Sequence, residues 1–483
     1  MRLPLLLATL GAASAAAAQQ APPLDSAVVA LMRASSVPGV AIAIVRGDSV
    51  ELHGFGMARV ADGAPVDPRR TLFRLASVAK LFVAASAAQQ LDRGALALDA
   101  PVNRYLDGWR TADDVTVLHL LTHTAGLDER LIGYAAPSLE KLEPLGEHLR
   151  RRLPRQGWRA GELTGYSNYG MALAGYLVER VSGLEYAEYA RRALFLPLGM
   201  TRTFYRAVPE SLAADRASAH RCGGDGCQPL PDLYSHPYPV GLAYSTAADM
   251  GRFVRALLGQ GPADSVLDPR ARAELFRERF RNEPTVPGIS LGFFNQRHRG
   301  LPILAHSGSV PGTSGLLVVA PSRRVGFYFV ANGGRSAFGA ALRDTLLDRL
   351  LPDLATTEPT PAETVALPAA WLDRLAGPYL LTRYSHATVE RFPMLFGAVV
   401  DVTRGGDGVA LPMDGGRRRF LPVDSLHFRE EGGERVLAFR RDPRGRVTDL
   451  FAPAPVFGAE YPAALERLAW HDAPHFMNEY LSG

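Results

Sequence analysis

Two groups of predicted strands, separated by a long helical region, constrain the fold of this chain more than any other feature. The first group is PGVAIAIVRGDSVELHGFGMARV, in which two strand-like segments flank a turn at Gly47-Asp48. The second group begins near residue 288 with ISLGFFNQ, LPILAHSG, SGLLVVAPS and RVGFYFVAN. The residues between them, to about 275, show mainly helical patterns and loops. This order predicts an α+β domain in which both groups join one antiparallel sheet, with helices on its faces and a helical lobe beside it.

The last quarter of the chain has a different pattern. ATTEPTPAETVALP, residues 355–368, lacks hydrophobic periodicity and is predicted to be a linker. Residues 369–483 contain short strands separated by Gly and Asp turns, which predict a small all-β accessory domain, either a sandwich or a barrel. Near its end, YPAALERLAWHDAPHF is compatible with a terminal helix. Residues 19–354 would then form the larger domain.

The N-terminal residues 1–18 have the pattern of a secretory signal peptide. Arg2 precedes a short apolar segment, and alanines at 16–18 fit a cleavage site, so we expect a periplasmic or secreted protein. Later apolar runs are interrupted by charged residues or glycine, so we expect no integral membrane segment in this chain. The formal charge of +4 is small for 483 residues and no basic arm is present, which argues against nucleic-acid binding.

Lysine is rare in this sequence, and its positions are informative. Of 53 lysines and arginines only Lys80 and Lys141 are lysines, which leaves 51 arginines. Arginine cannot lose its proton in a protein, whereas lysine can. Lys80 lies in the apolar stretch FRLASVAKLFVAAS, three residues after Ser77. Residues three apart share one face of a helix, so the Lys80 amine can activate the Ser77 hydroxyl if its pKa falls by about 3 units.

Two other serine motifs are weaker candidates for a nucleophile. Ser138 and Lys141 repeat the Ser-x-x-Lys spacing, but Glu140 and Glu143 flank them, which predicts a solvated helix face with a charged lysine. Ser290 lies in GISLG, which matches the Gly-x-Ser-x-Gly motif of α/β-hydrolases. A nucleophile of that class precedes a helix, whereas FFNQ after this motif continues as a strand.

The tripeptide YSN supplies two further candidate residues. Tyr166 and Asn168 have alternate spacing just before a predicted helix. A phenol beside ammonium groups can act as a base, and a side-chain amide can donate to a substrate carbonyl and hold the lysine. The tripeptide is common, and a turn followed by a helix cap is the competing interpretation.

The tripeptide HSG and the serine after it end another predicted strand. An exposed strand edge at His306, Gly308 and Ser309 can hold an extended substrate by β-addition. The backbone amides of Ser77 and Ser309 can form an oxyanion hole. A surface histidine with ordinary partners is the alternative for His306.

The two cysteines, Cys222 and Cys227, are close together in RCGGDGCQP. An exported protein favours a disulfide-closed loop over half of a metal site, and no second Cys or His pair completes such a site, although His220 and His236 are near. We find no metal-ligand cluster and no nucleotide motif, so we expect neither a metal nor a cofactor.

Ser-x-x-Lys, Tyr-x-Asn and His-x-Gly, in this order, resemble the motifs of the penicillin-recognising serine hydrolases, closest to the branch of class C β-lactamases, D-peptidases and related esterases. VPGVAIAIVRGDSVELHGFG, LLTHTAGL, LFLPLGM and GLAYSTAADMGRF also resemble segments of that family. The resemblance extends from about residue 25 to about residue 350. It implies a β-lactamase/transpeptidase-like fold, an antiparallel sheet flanked by helices with an all-helical lobe. The C-terminal all-β region resembles the lipocalin-like accessory domains of some relatives.

Matched by position, the resemblance also implies roles for the site residues. Ser77 resembles the acylated nucleophile, Lys80 the proton acceptor or relay, Tyr166 the general base, and Asn168 the substrate-side amide. No catalytic motif lies beyond the predicted linker.

The third motif departs from the family pattern. Class C β-lactamases carry Lys-Thr-Gly where this chain has His306-Ser307-Gly308. A histidine with an ordinary pKa near 6.5 is mostly neutral at neutral pH, whereas a lysine stays charged. We therefore expect weak recognition of substrate carboxylates, better turnover of uncharged esters or amides, and improved binding of carboxylates at lower pH.

These observations predict an exported serine hydrolase that acts through an acyl-enzyme on an ester, amide or D-amino-acid peptide bond of a small molecule or short peptide. One alternative is a β-lactamase or D,D-carboxypeptidase that acts on β-lactams or cell-wall peptides. Another is a non-catalytic binding module with a penicillin-binding-like cleft. The sequence makes no prediction of oligomeric state.

Overall fold

The computed structural model describes residues 23–223, 226–262, 265–334, 336–355, 363–383, 385–386, 388–390, 399–413, 416–456 and 459–467. The proposed signal peptide, the centre of the predicted linker and the last part of the proposed terminal helix lie outside these residues. Among the described residues, no helix has the length and apolar character needed to cross a membrane.

The larger domain contains the two predicted strand groups and several short strands between them. Its described strands are β1 Gly39–Arg46, β2 Ser49–Arg59, β3 Ala64–Pro65, β4 Phe73–Arg74, β5 Ala135–Ala136, β6 Phe204–Tyr205, β7 His220–Gly223, β8 Gly226–Pro229, β9 Tyr234–Ser235, β10 Ala243–Ser245, β11 Phe294–His298, β12 Leu301–Val310, β13 Thr313–Ala320 and β14 Val325–Ala331. Within the described chain, seven of these form one sheet in the order β11-β12-β13-β14-β1-β2-β3. Val40 of β1 pairs with Ala331 of β14, so the two distant strand groups meet in one antiparallel sheet, as predicted.

The central position of β1 explains why its sequence is almost entirely apolar. Its odd-numbered residues from Ala41 to Val45 enter the core on one side of the sheet. Its even-numbered residues from Val40 to Ile44 enter the core on the other side. Alternate side chains of a strand point to opposite faces, so a strand covered on both faces has no polar face to show.

Helices cover the sheet and form the lobe beside it, which confirms the predicted fold class. The described α-helices are α1 Leu24–Ala34, α2 Lys80–Asp92, α3 Val117–Leu121, α4 Leu145–Arg151, α5 Asn168–Ser182, α6 Tyr186–Ala190, α7 Ala247–Leu257, α8 Pro269–Phe276, α9 Ser336–Leu350, α10 Pro352–Ala355 and α11 Ala369–Leu375. Helix α7 shares a core with the odd-numbered side of β1, whereas α1 and α9 share the core on the other side.

The C-terminal region is a closed barrel, in agreement with the predicted all-β domain. Its described strands are β15 Gly377–Leu381, β16 Val399–Gly405, β17 Gly408–Met413, β18 Gly416–Pro422, β19 His427–Glu430, β20 Val436–Arg441, β21 Val447–Val456 and β22 Ala459–Arg467. The last strand pairs with the first, with Arg467 opposite Tyr379. The expected helix is therefore wrong for residues 461–467, because pairing with β15 and β21 satisfies their backbone groups in a strand.

The barrel packs directly on the larger domain. Leu163 and Val286 of the larger domain are buried together with Ala438 and Phe451 of the barrel. Strands β11 and β12 of the central sheet also contact β22. The barrel therefore shares an apolar interface with the part of the sheet that leads to the candidate site.

Candidate active site

Ser77 lies in a tight turn that leads directly into helix α2. Residues Ala76–Ala79 form a 3-10 helix, and α2 continues from Lys80. The sequence predicted an α-helix here, but side chains three apart align even more closely in a 3-10 turn. Ala76, just before Ser77, has a φ of 48°, in the left-handed region that non-glycine residues rarely occupy. Such backbone strain is frequent at functional sites.

The Lys80 amine lies within hydrogen-bonding distance of the Ser77 hydroxyl. Lys80 Nζ is 2.9 Å from Ser77 Oγ and donates to the backbone carbonyl of Val240 at 3.0 Å. The side chain is fully buried. Burial, assisted by the cation of Arg383, holds the pKa of Lys80 well below its usual range, while Glu129 acts in the opposite direction. The structure thus gives Lys80 the low pKa that a base for Ser77 requires.

Tyr166 lies beside this pair, at the turn before α5. Its ring centroid is 5.0 Å from Lys80 Nζ and 4.4 Å from the ring centroid of His123. Burial raises the pKa of Tyr166 to about 12, although the Arg383 cation and a hydrogen bond with Ser77 act to lower it. Tyr166 is therefore a protonated phenol at neutral pH, and Lys80 is the better placed proton acceptor.

Asn168, the first residue of α5, points its amide toward a buried carboxylate. Asn168 Nδ2 donates to Glu129 Oε1 at 3.2 Å. Both side chains are largely buried and Asn168 lines the cleft. Glu129 was not singled out from the sequence, because it follows the LLTHTAGL segment in a loop where no spacing marks it as part of a site.

His306 is neutral in this structure, which corrects the expectation of an ordinary pKa. It is buried on β12, and burial together with the nearby Lys80 lowers its pKa to about 3. Its Nδ1 lies 2.6 Å from the carbonyl oxygen of Ser307 and must donate to it, so Nε2 carries the lone pair. Nε2 has no hydrogen-bond partner among the described residues. His306 is therefore a neutral side chain that does not become a cation in mildly acidic solution.

Gly308 lets β12 approach the nucleophile turn closely. A Cβ atom at this position would lie 2.4 Å from the Leu75 carbonyl oxygen and 3.0 Å from the Ser77 amide nitrogen. A side chain of any kind would therefore force the strand and the turn apart. This close approach brings the β12 backbone next to the first turn of the helix, where amide N–H groups lack intrahelical partners.

The predicted site residues converge on one cleft of about 290 Å³. Within the described chain, the pairing of β11 with β12 ends at Ala305. The part of β12 after Ala305 therefore has no described strand on its β11 side, and this edge is available to an extended substrate. The cleft wall is mainly apolar, with contributions from Leu131, Leu233, Phe294 and Leu381. The cleft is lined by five of the predicted residues, namely Ser77, Tyr166, Asn168, His306 and Ser309.

The structure adds a cation that sequence reasoning missed. Arg383, on the barrel side of the cleft, lies with its Cζ 4.5 Å from the Tyr166 ring centroid and its Nε 3.4 Å from Glu129 Oε2. In a chain with 51 arginines, no local pattern distinguishes this one, and it is more than 200 residues from Ser77 and Tyr166.

The competing serines do not reach the cleft. Ser138 precedes a single 3-10 turn that ends at an exposed Lys141. Ser290 is buried, with its Oγ 3.0 Å from the Phe276 carbonyl oxygen and 2.8 Å from Asn295 Oδ1, and it precedes strand β11 instead of a helix. Neither serine has the environment of an activated nucleophile.

Cys222 and Cys227 form a disulfide across the hairpin of β7 and β8. The backbone N–H of His220 in this hairpin donates to the Gly312 carbonyl at 3.2 Å, next to the end of β12. The disulfide therefore closes a hairpin that supports the cleft edge.

A cluster of potential metal ligands lies apart from the nucleophile. Glu143, His148 and His236 place one possible ligand atom each within 4.8 Å of one another. The Glu143 carboxylate also forms a close ion pair with Arg151, and its backbone N–H donates to His236 Nδ1 at 3.2 Å. A metal ion here would have to displace these interactions, so the cluster fits a hydrogen-bonded support better than a metal site.

Comparison with known proteins agrees with this geometry. A Beta-lactamase from Yersinia enterocolitica is 30% identical over 238 residues, which is 48% of this chain and 58% of that protein. Esterase EstB from Burkholderia gladioli is 34% identical over 269 residues, 49% of this chain and 66% of that protein. The match thus spans less than two thirds of either relative.

Solved structures of other proteins have a similar fold. The crystal structure of SurE superposes with a TM-score of 0.64 at 23% identity, over 92% of this chain and 98% of that one. Residues 24–351 match the Beta-lactamase family, more than half of the chain. The chain therefore belongs to this family of serine hydrolases.

Proposed function

We propose that this protein is an exported hydrolase that cleaves ester, amide or D-amino-acid peptide bonds through an acyl-enzyme on Ser77. The observation that carries the proposal is the 2.9 Å approach of the buried Lys80 amine to the Ser77 hydroxyl at the base of a cleft. The signal-like segment before residue 19 supports the exported location.

The acylation step follows from the positions of these groups. The neutral Lys80 amine takes the proton of Ser77 Oγ, and the oxygen forms a bond to the substrate carbonyl carbon. The carbonyl electrons move to oxygen, where the backbone amides of Ser77 and Ser309 are the proposed donors. When the carbon–leaving group bond breaks, the alcohol or amine departs with a proton that Lys80 releases, with Tyr166 as the proposed relay. Water then gives a proton to Lys80 as its oxygen bonds to the acyl carbon, and the ester bond to Ser77 breaks as Ser77 Oγ takes that proton back, which releases the acid product.

The neutral state of His306 favours uncharged substrates over substrates that carry a carboxylate. His306 lines the cleft as a neutral side chain whose Nδ1 donates to the backbone, so it offers no cation to a substrate carboxylate. Amides, D-aminoacyl compounds and uncharged esters are therefore better candidate substrates than molecules that need a cation from His306.

Action on β-lactams or on peptides with a free carboxylate is the second candidate function. Arg383 favours it, because its guanidinium lines the same cleft and stays charged. A substrate carboxylate would compete with Glu129 for this cation.

A hydrolysis screen tests the proposal. p-Nitrophenyl esters, D-aminoacyl amides, D-Ala-D-Ala peptides and a chromogenic cephalosporin would be assayed with wild-type protein and with Ser77→Ala. Intact-protein mass spectrometry would detect the acyl adduct, and peptide mapping would locate it. An adduct on Ser77 that is absent from Ser77→Ala supports the proposal. A protein that hydrolyses nothing and takes no adduct from any of these compounds or from a phosphonate would instead be a binding module.

A further inference from the structure

The segment after β15 fastens the barrel to the rim of the cleft. The Thr382 hydroxyl donates to the backbone carbonyl of Thr164 at 2.8 Å, a buried contact. The backbone N–H of His386 donates to Asp128 Oδ1 at 3.1 Å. These bonds hold the barrel against the two segments of the larger domain that carry Tyr166 and Glu129.

Arg383 lies between these two contacts along the chain, and its guanidinium is close to Tyr166 and Glu129. Its Cζ is 4.5 Å from the Tyr166 ring centroid, and Lys80 Nζ is 5.0 Å from the same centroid. Its Nε lies 3.4 Å from the Glu129 carboxylate, which is itself fixed by Asn168. The Tyr166 ring thus contacts one basic side chain from each domain, the Lys80 amine and the Arg383 guanidinium, and the buried Glu129 carboxylate lies beside the guanidinium.

We propose that the barrel completes the acylation site through Arg383, a positioning residue whose permanent charge keeps the Lys80–Tyr166 pair ready to accept the proton of Ser77. The inference rests on the proposed acyl-enzyme function and assigns part of that chemistry to the C-terminal domain.

The other groups around the pair leave Arg383 and Glu129 as the main opposing charges. Burial lowers the pKa of His123 and His306 and raises that of Tyr134, so all three stay neutral near pH 7. Arg74 also lines the cleft as a cation and donates to the carbonyls of Gly241, at 2.9 Å, and Leu233. The charges that shift the pKa of Lys80 and Tyr166 are nevertheless those of Arg383 and Glu129.

The Arg383 cation and the Glu129 carboxylate should shift the pH dependence of kcat/KM in opposite directions. A cation disfavours a second positive charge on Lys80 and favours the phenolate of Tyr166, so it lowers the pKa of both groups. The carboxylate of Glu129 raises both. Because both members of the pair respond with the same sign, the direction holds whichever of them takes the proton from Ser77.

The test is the pH dependence of kcat/KM for an uncharged p-nitrophenyl ester, measured on the full-length protein. An uncharged substrate excludes a lost contact between Arg383 and a substrate carboxylate. Arg383→Gln should shift the acid limb to higher pH by about one unit, with about tenfold lower kcat/KM on that limb. Arg383→Lys should recover most of the shift. Glu129→Gln, which keeps an oxygen acceptor for Asn168, should shift the limb to lower pH.

Arg404→Gln is the matched control. Arg404 is also a barrel arginine paired with one carboxylate, Asp373, at 2.6 Å, and its side chain is 45% exposed against 40% for Arg383. It does not line the cleft, and we expect its profile to equal that of the wild type.

The outcomes separate this inference from the proposed function. If the wild type never acylates Ser77, the proposed function fails. If Ser77 is acylated but Arg383→Gln keeps the wild-type profile, or loses activity without a shift, Arg383 is only a structural contact and the inference is overturned. If Arg383→Gln does not fold, Glu129→Gln decides, because an unshifted profile in that variant also overturns the inference.

Discussion

The close approach of β12 to the nucleophile turn gives a sharp prediction for Gly308→Ala. The alanine Cβ would lie 2.4 Å from the Leu75 carbonyl oxygen, whereas ordinary contact begins at 3.4 Å. The strand and the turn must therefore separate by about 1 Å, because the atoms involved belong to the backbone and cannot rotate away. A displacement of this size at reacting groups costs about 10²-fold in rate. Overpacking of this kind also costs about 1–3 kcal/mol in the free energy of unfolding.

The assay is the stopped-flow rate of Ser77 acylation by a p-nitrophenyl ester, with urea unfolding measured on the same samples. Gly416→Ala is the control, since a Cβ there meets nothing within 4 Å. We expect the control to match the wild type in both measurements, whereas Gly308→Ala should lose acylation while it remains folded. If Gly308→Ala acylates at the wild-type rate with unchanged stability, the strand does not form the wall of the site as we describe.

Three further predictions follow from the buried groups. Lys80→Arg should abolish acylation, because arginine keeps the charge but cannot take the proton, while Lys141→Arg at the exposed lysine should leave the burst phase unchanged. Tyr166→Phe should lower kcat by about 10²-fold, and an unchanged kcat would assign all proton transfer to Lys80. His306 has a pKa of about 3 against an unfolded value near 6.5, so the unfolded chain binds the extra proton and stability should fall as pH drops from about 6.5 toward 3. At pH 5 this amounts to about 2 kcal/mol, and urea unfolding of His306→Gln should show a correspondingly shallower pH dependence; an identical slope would contradict the low pKa.

Most of the framework could be predicted from the sequence, because local patterns encode it. The apolar run of β1 predicted a strand buried on both faces, and the spacing of Ser77 and Lys80 predicted their contact within one turn. The C-terminal strands indicated an all-β unit, but residues 461–467, whose sequence is compatible with a helix, belong to strand β22. Its residues have good helical propensity, and only the distant partners β15 and β21 make them a strand.

The sequence by itself determined which groups could do chemistry: a serine, a lysine that can lose its proton, a phenol, and a histidine in the third motif. Only the tertiary structure decided their protonation and their neighbours. Burial keeps His306 neutral, and desolvation depends on atoms from many segments that no motif contains. In the same way, Arg383 reaches Tyr166 because a barrel closes and docks, and a contact across more than 200 residues leaves no local trace in the sequence.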